Sequence, residues 1–260
     1  MNLHPVFSAK RKYEWKKAVG GIFFPRRLCA NCGKPSPGDI LCPACRKIQQ
    51  QLRPCPCCAT WIAATEAPDY RCGNCRRQKP FFTSARAALP YDGYLRQSLI
   101  RYKFYGQTGY RRVFGALLVD MIQREWADIS FDLVIPIPLH PKREQERGYN
   151  QTAFLAEIIS FELDIPFSMQ GLIRQKETKA LSQLKGIERA KEIHHAFAVG
   201  VEVKDKIVLL VDDIYTTGST CREAAKTLLA AGAKAVYVAA VASGQDGKSK
   251  PTEKKESVNP

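Results

Sequence analysis

The sequence lacks an apolar run long enough to cross a lipid bilayer, which takes about 20 residues in a helix. The apolar stretch at 19–24 is too short, and ends too soon in a proline, to serve as the core of a secretion signal. These absences argue against membrane insertion and export, so we expect a cytoplasmic protein. With 45% hydrophobic and 25% charged residues, the chain of 260 residues has the composition of a soluble globular protein.

Acidic residues are few relative to basic ones. The chain has 40 Lys and Arg against 25 Asp and Glu, a formal net charge of +15. A positive field of this size favours polyanions, which include nucleic acid, phosphorylated metabolites and anionic lipid. Part of the excess lies at 243–260, which is rich in Lys, Gly, Ser and Pro and has no apolar period. That composition predicts a disordered tail.

Cysteine is nearly absent after residue 75, where only Cys221 remains, whereas nine cysteines lie between positions 29 and 75. Most of the nine form Cys-x-x-Cys pairs, and two such pairs supply the four thiolates of a tetrahedral Zn²⁺ site. Grouping the pairs in sequence order is simplest, and an interleaved arrangement stays open. The two groups would be Cys29, Cys32, Cys42 and Cys45, and Cys55, Cys58, Cys72 and Cys75.

The cysteine-rich segment has little apolar content of its own, so metal binding would drive its folding. Disulfides are the alternative, but they suit oxidising compartments. Cys57 falls outside the Cys-x-x-Cys spacing and is interpreted as an extra cysteine that does not bind the metal. Cys221 stands early in a predicted helix and is interpreted as a small buried residue.

Beyond residue 85, short apolar runs alternate with amphipathic stretches. This alternation predicts an α/β fold with a parallel sheet covered by helices on both faces. The predicted strands are 131–138, 207–212 and 235–241, and the predicted helices are 94–105, 110–122, 151–162 and 220–231. The predicted organisation is a basic segment at 1–27, a zinc-binding module at 28–80, the α/β domain at 81–242 and the tail at 243–260.

Two acidic residues, Asp212 and Asp213, close an apolar run and are followed by a hydroxyl-rich loop at 216–220. Ligands of open parallel sheets collect beyond the carboxyl ends of the strands. The loop runs into a helix, whose amides and dipole suit a phosphate, and Gly218 lets the backbone approach closely. A strand end and a helix cap without a ligand would explain either half alone. Together they predict a site for a phosphorylated sugar.

At these residues the sequence resembles the type I phosphoribosyltransferases, whose fingerprint Leu209–Thr220 matches throughout. The resemblance implies that Asp212 and Asp213 contact the ribose hydroxyls of phosphoribosyl pyrophosphate. It also implies that the loop binds the 5'-phosphate through Thr216, Thr217, Gly218, Ser219 and Thr220.

A narrower resemblance covers roughly residues 22–242. The cysteine-paired front end and several later segments resemble the ComF-type competence proteins. These segments are Tyr91-Asp-Gly, Lys103-Phe-Tyr-Gly106, Ile135-Pro-Ile-Pro-Leu-His140 and Arg147-Gly-Tyr-Asn-Gln151. The resemblance implies a phosphoribosyltransferase-like domain with an N-terminal double zinc ribbon, acting in DNA uptake and transformation. It implies partners among the competence proteins, such as a DNA-uptake helicase.

The segment 138–151 follows a predicted strand and precedes a helix, where this fold holds pyrophosphate. Arg143 and Arg147 could bind pyrophosphate oxygens bidentately, and His140 could donate a hydrogen bond. An exposed basic loop is the alternative. A flap is expected at 174–189, although Leu181 and Glu192 depart from the residues usual in relatives.

Two classes of function follow from these patterns. The first is transfer of a phosphoribosyl group to a nucleobase or amine, with Mg²⁺ bridging the pyrophosphate and ribose oxygens. The second is a non-catalytic accessory protein that binds single-stranded DNA and keeps the fold as a ligand sensor. Basic and aromatic residues alternate at 10–17 and 94–112, as expected for single-stranded DNA, although solvated helix faces look similar.

Overall fold

The computed structural model describes residues 28–246 apart from 37–38, 106, 108 and 177–192. The basic cluster at 10–17, most of the predicted flap and the tail beyond Asp246 lie outside the described residues. The helices are α1 (Pro43–Gln50), α2 (Gly73–Arg77), α3 (Gly93–Phe104), α4 (Tyr110–Glu125), α5 (Pro141–Arg147), α6 (Gln151–Leu163) and α7 (Ser219–Ala230). The strands are β1 (Leu52–Pro54), β2 (Trp61–Ala63), β3 (Ser84–Pro90), β4 (Leu133–Pro136), β5 (Leu172–Arg174), β6 (Phe197–Val199), β7 (Ile207–Tyr215) and β8 (Ala235–Ser243).

The centre of the fold is a four-stranded parallel sheet in the order β3-β8-β7-β4. In its register Leu210 lies between Ile135 of β4 and Val238 of β8. All three side chains are fully buried, as expected for apolar strands that are covered on both faces. The predicted parallel sheet with flanking helices is therefore confirmed.

Successive residues of β7 point to opposite faces of the sheet, because side chains alternate along a strand. Leu209 packs with α3, α4 and α6, whereas Leu210 packs with α7. Helices α4 and α6 also pack against each other on their face. By the same alternation Asp213 points toward α3 and α6, and Asp212 points toward α7.

The two cysteine groups pack against opposite faces of the sheet. The group that begins at Cys29 packs into the core with α3, α4 and α6. The group that begins at Cys55 packs into the core with α7 and the antiparallel pair β5-β6. The cysteine-rich segment therefore contacts both sides of the sheet.

The end of β8 is joined to the second cysteine group. Trp61 in β2 donates from its amide to Gly244 O at 3.1 Å and accepts from Asp246 N at 2.9 Å. The Asp246 carboxylate accepts from Gly73 N and Tyr70 Oη, both at 3.2 Å. Composition predicts a disordered tail from residue 243. In the structure β8 runs through Ser243, and Gly244 and Asp246 hydrogen-bond to Trp61 of β2.

The elements predicted from periodicity lie within a few residues of those in the structure. Three differences matter for the site. Strand β7 continues to Tyr215, so the acidic pair lies inside the strand and not after it. Helix α5 and strand β3 are elements that periodicity did not predict, and α5 lies in the segment for which an exposed basic loop was the alternative. No helix in the described part of the chain combines the length and apolar character needed to span a membrane.

Candidate functional site

A cavity of about 710 Å³ opens at the carboxyl end of β7. Its walls come from α3, the β4–α5 connection, α5, the start of α6 and the β7–α7 loop. The polar and charged residues that line it are Lys103, Arg143, Glu146, Arg147, Gln151, Thr152, Arg174, Asp212, Asp213, Thr216 and Thr220. Sequence-predicted residues from two separate segments therefore meet in one cavity.

Asp213 is held tightly by its neighbours. Its side chain is 5% exposed, and Lys103 Nζ lies 2.8 Å from Oδ2 and 3.1 Å from Oδ1. Gln151 Nε2 donates to Oδ2 at 2.8 Å. Burial alone would raise the pKa of Asp213, but the Lys103 ammonium and the Gln151 amide outweigh it and hold that pKa below its usual range. Asp213 is therefore an ionised carboxylate.

Asp212 has a different environment on the opposite face of β7. Its Oδ1 accepts from the backbone amide of Asp213 at 2.8 Å, and Cys221 Sγ lies 3.4 Å from Oδ2. Burial, together with the neighbouring Asp213 charge, raises the pKa of Asp212 to about 7. The two acids thus differ in charge near neutral pH, although the sequence presents them as a pair.

The hydroxyl-rich loop turns sharply into α7 at Gly218. Gly218 has φ +74°, and a Cβ there would lie 2.1 Å from Tyr215 Oη, so only glycine fits without displacing the ring. The amide of Ser219 donates to Thr217 Oγ1 at 3.4 Å. Within the described part of the chain, the amides of Thr217, Gly218 and Thr220 donate no hydrogen bond. The helix mouth can therefore bind an anion.

The loop residues do not all reach the cavity. Thr216 and Thr220 line it, whereas Thr217, Gly218 and Ser219 are absent from its lining. Thr217 Oγ1 and Ser219 Oγ are 2.8 Å apart and hydrogen-bond to each other.

The basic segment after β4 is a short helix, not an open loop. His140 caps α5, with Nδ1 accepting from Lys142 N at 3.4 Å, and it does not line the cavity. Arg143 and Arg147 do line the cavity. The helix ends at Gly148, which has φ +79°, and Asn150 then caps α6 by accepting from Thr152 N at 3.1 Å. Of the three residues predicted to bind pyrophosphate, the two arginines line the cavity and His140 does not.

Arg147 is anchored on two sides. Its Nη1 donates to Gln151 Oε1 at 2.8 Å, and its guanidinium lies over the Phe104 ring at 4.9 Å from the centroid. Because Gln151 also donates to Asp213, one side chain bridges the arginine and the carboxylate.

Sequence reasoning assigned no site role to Lys103, Gln151 or Arg174, and all three line the cavity. Lys103 and Gln151 stand in segments that carry the family resemblance, which was the available signal. Arg174 is 7% exposed and begins the predicted flap. Its guanidinium lies 5.9 Å from the centroid of the Phe197 ring.

The eight candidate metal ligands form two groups in sequence order. Within each group the four sulfurs all lie within 4.8 Å of one another. Cys32 and Cys42 sulfurs are 3.7 Å apart, and those of Cys58 and Cys72 are 3.6 Å apart. A tetrahedron with Zn–S bonds of about 2.3 Å has edges of about 3.8 Å, so both groups suit Zn²⁺. All ten cysteines are free of disulfides, and Cys57 lies outside both groups.

Hydrogen bonds to sulfur support these groups. Asn31 Nδ2 donates to Cys45 Sγ and Cys72 N donates to Cys55 Sγ, each at 3.4 Å. Such outer contacts orient and stabilise thiolate ligands. Because four sulfurs fill every position of each group, a bound zinc ion would be structural.

Comparison with known proteins agrees with this architecture. A profile described as "Phosphoribosyl transferase domain" matches residues 152–259. Competence protein F of Haemophilus influenzae is 30% identical over 200 residues, covering 75% of this chain and 87% of the relative. Competence protein ComFC of Streptococcus pneumoniae is 32% identical over 213 residues, covering 80% and 84%. The DNA utilization protein YhgH of Salmonella typhimurium is 27% identical over 202 residues, covering 76% and 88%. The chain belongs to the ComF-type competence proteins, with a phosphoribosyltransferase-like domain and two four-cysteine groups that suit zinc.

Proposed function

We propose that the cavity binds phosphoribosyl pyrophosphate and that the protein uses this ligand in DNA uptake. The observation that supports the proposal is the meeting of three features in one cavity. These features are the mouth of α7, where Thr220 lines the cavity and has an unused amide, the Asp212–Asp213 pair and several cations. Each corresponds to one part of the ligand, namely the 5'-phosphate, the ribose hydroxyls and the pyrophosphate.

The 5'-phosphate would lie at the start of α7. Thr216 and Thr220 line the cavity there, and the unused amides of Thr217 and Gly218 belong to the same turn. The 12-residue helix adds a favourable dipole for the phosphate charge. The ribose hydroxyls would then meet the acidic pair at the end of β7.

The pyrophosphate would lie on the opposite wall. Arg143 and Arg147 from α5 line that wall, and Arg174 from β5 adds a third cation. A guanidinium matches phosphate oxygens with two parallel hydrogen bonds. Mg²⁺ bound with the ligand would neutralise part of its charge.

Such a site could transfer the phosphoribosyl group. The bond from C1 to the pyrophosphate oxygen would break, its electron pair would leave with pyrophosphate, and a lone pair of the acceptor would form the new bond to C1. The arginines would stabilise the leaving charge, so the chain need supply no covalent nucleophile. Relatives carry the names competence protein and DNA utilization protein, which supports a role in DNA handling.

A second candidate is contact with single-stranded DNA at the rim of the cavity. Phe104 is 61% exposed and Tyr105 is 71% exposed, and both stand at the end of α3. Arg147 lies over Phe104, and Arg111 lies 5.1 Å from the centroid of Phe154. Exposed rings beside arginines are suited to stacked bases and their phosphates.

Calorimetric titration with phosphoribosyl pyrophosphate and Mg²⁺ tests the primary proposal. We expect saturable binding, weakened about tenfold in Thr220→Val by loss of one hydrogen bond to a charged group. Thr227→Val is the matched control, since Thr227 lies in the last turns of α7 and bonds to Glu223 O at 3.0 Å. An absence of binding to the wild type at millimolar ligand would overturn the proposal.

The DNA candidate needs its own titration. A labelled single-stranded oligonucleotide should bind more weakly to a Tyr105→Ser variant, with phosphoribosyl pyrophosphate binding retained, because Tyr105 is 71% exposed and does not line the cavity. Equal DNA affinity in the variant and the wild type would remove the Tyr105 ring from the contact.

A further inference from the structure

Lys103 contacts Asp213 directly, and the role inferred for it rests on the proposed ligand. We propose that Lys103 is a positioning residue: with Gln151 it holds Asp213, and through Asp213 it presents Asp212 as the carboxylate that meets the ribose. Asp212 would then face the ligand, and Asp213 would hold Asp212 in position.

The first step is the engagement of Asp213. Both of its carboxylate oxygens lie within 3.1 Å of Lys103 Nζ, and Oδ2 also accepts from Gln151. The residue is 4% exposed. Because this carboxylate is nearly inaccessible and already bound to a charged partner, it is poorly placed to accept from a ribose hydroxyl as well. Asp212 is more exposed, and among the described residues no cation contacts it directly.

The second step is the link from Asp213 to Asp212 and Arg147. The amide of Asp213 donates to Asp212 Oδ1 at 2.8 Å, so the position of one residue orients the carboxylate of the next. Gln151 connects Asp213 to Arg147 through its two amide atoms. Lys103 therefore acts at one end of a chain of contacts that reaches two proposed ligand-binding groups.

The third step is the placement of Lys103 itself. Tyr102 Oη donates to Gln151 O at 2.8 Å, and Tyr149 donates to Tyr102 O, so the end of α3 is fastened to the start of α6. The ammonium has little freedom to leave Asp213. It neutralises one of two adjacent carboxylates, which lowers their repulsion of a ligand with several negative charges.

Charged and titratable groups near Asp213 come from four elements. They are Lys103 and Tyr102 from α3, Arg147 from α5, Asp212 on β7 and Cys221 from α7. Lys103 is the cation in direct contact. Its removal would let the acidic pair retain a proton to higher pH.

The test measures phosphoribosyl pyrophosphate affinity against pH in Lys103→Met, Lys103→Arg and the wild type. In Lys103→Met we expect about a tenfold loss near neutral pH and a midpoint of the pH profile that rises by about one pH unit or more. Lys103→Arg should keep the wild-type midpoint. Arg96→Met is the control, because it removes the same charge from an exposed position of α3. A loss of affinity that is equal at every pH would overturn the proposal.

A second measurement uses no ligand and separates the role of Lys103 from the proposed function. Urea midpoints of Lys103→Met, Asp213→Asn and the double variant form a cycle. If Lys103 acts through Asp213, the double variant should unfold at a higher urea midpoint than the sum of the two single losses predicts. Additive losses would refute the coupling even where the ligand binds, whereas coupling without any ligand binding would refute the proposed ligand alone.

Discussion

Substitution of Asp212 by Asn should stabilise the ligand-free protein, and the gain should grow with pH. Burial raises the pKa of Asp212 from its ordinary 3.8 to about 7. A carboxyl group whose pKa is higher in the folded protein than in the unfolded chain contributes its full stability below the pKa of the unfolded chain. This contribution is lost as the pH rises from there through the pKa of the folded protein, which is about 7 here. The native carboxylate therefore costs stability at neutral and alkaline pH, and an uncharged amide avoids that cost.

The magnitude follows from the same displacement. A change from 3.8 to about 7 corresponds to about 4 kcal/mol at 1.36 kcal/mol per pKa unit, reached above pH 8. At pH 5.5 only about 2 kcal/mol of this cost has developed, because the folded protein still keeps its proton there while the unfolded chain has lost it. The amide can still accept from Asp213 N through its oxygen, which is 2.8 Å away in the native carboxylate. The gain in Asp212→Asn should therefore roughly double between pH 5.5 and pH 8.5.

Urea unfolding at pH 5.5, 7.0 and 8.5, followed by circular dichroism in the presence of zinc, measures this directly. Keeping the pH at 5.5 or above limits the competition between protons and zinc for the cysteine thiolates. Asp213→Asn is the matched control, since it removes the same charge one residue away but leaves the Lys103 ammonium without its 2.8 Å partner. It should destabilise at every pH tested. A gain in Asp212→Asn that is independent of pH, or a loss as in the control, would show that burial of Asp212 does not control the stability of the ligand-free protein.

Three further predictions concern the loop, the metal sites and the charge. Gly218→Ala should lower stability by about 1–3 kcal/mol in urea unfolding, since its φ of +74° and the Tyr215 ring both oppose a side chain. Gly232→Ala should cost less, because it shares the strain of a positive φ, +95°, but its Cβ would meet nothing closer than 3.5 Å. Cys42→Ser and Cys72→Ser should each remove about one zinc ion per chain by mass spectrometry, and Cys72→Ser should weaken phosphoribosyl pyrophosphate binding through the turn at Gly218, which Cys42→Ser should leave in place. Neutralising the basic cluster at 10–17 should flatten the salt dependence of DNA binding, and an unchanged slope would exclude it.

Much of the fold could be predicted from local patterns. The strand at 207–212 and the helix at 220–231 correspond to β7 and α7, because an apolar run and a 3.6-residue period each depend on nearby residues. Strand β3 was missed because its sequence, Ser-Ala-Arg-Ala-Ala-Leu-Pro, is short of β-branched residues. It forms because β8 offers it a parallel partner along its whole length, which is a tertiary effect.

Most residues of the site could be predicted from the sequence, but the contacts between them could not. The strand and loop pattern placed the acidic pair and the hydroxyl-rich loop at one sheet edge, and the family resemblance added the two arginines. It could not show that His140 would use its Nδ1 to cap α5, or that Lys103 would reach Asp213 from a helix 110 residues earlier in the chain. Such pairings depend on how α3 packs against α6. Two adjacent identical residues favour the interpretation that Asp212 and Asp213 are equivalent, and the alternation of β7 separates them.

The expected difference between the two cysteine groups follows from the position of Tyr215. Its ring is 2% exposed, packs edge-on against Phe82 at 6.2 Å and places Oη where a Gly218 side chain would begin. Phe82 and Tyr215 share a core with the cysteines from Cys55 to Cys75, whereas the group from Cys29 to Cys45 packs on the other face of the sheet. Loss of the second metal site would loosen the surface on which Tyr215 rests, and the turn at Gly218 would lose its support. Loss of the first would act on the face that carries Asp213 and leave the helix mouth of α7 in place.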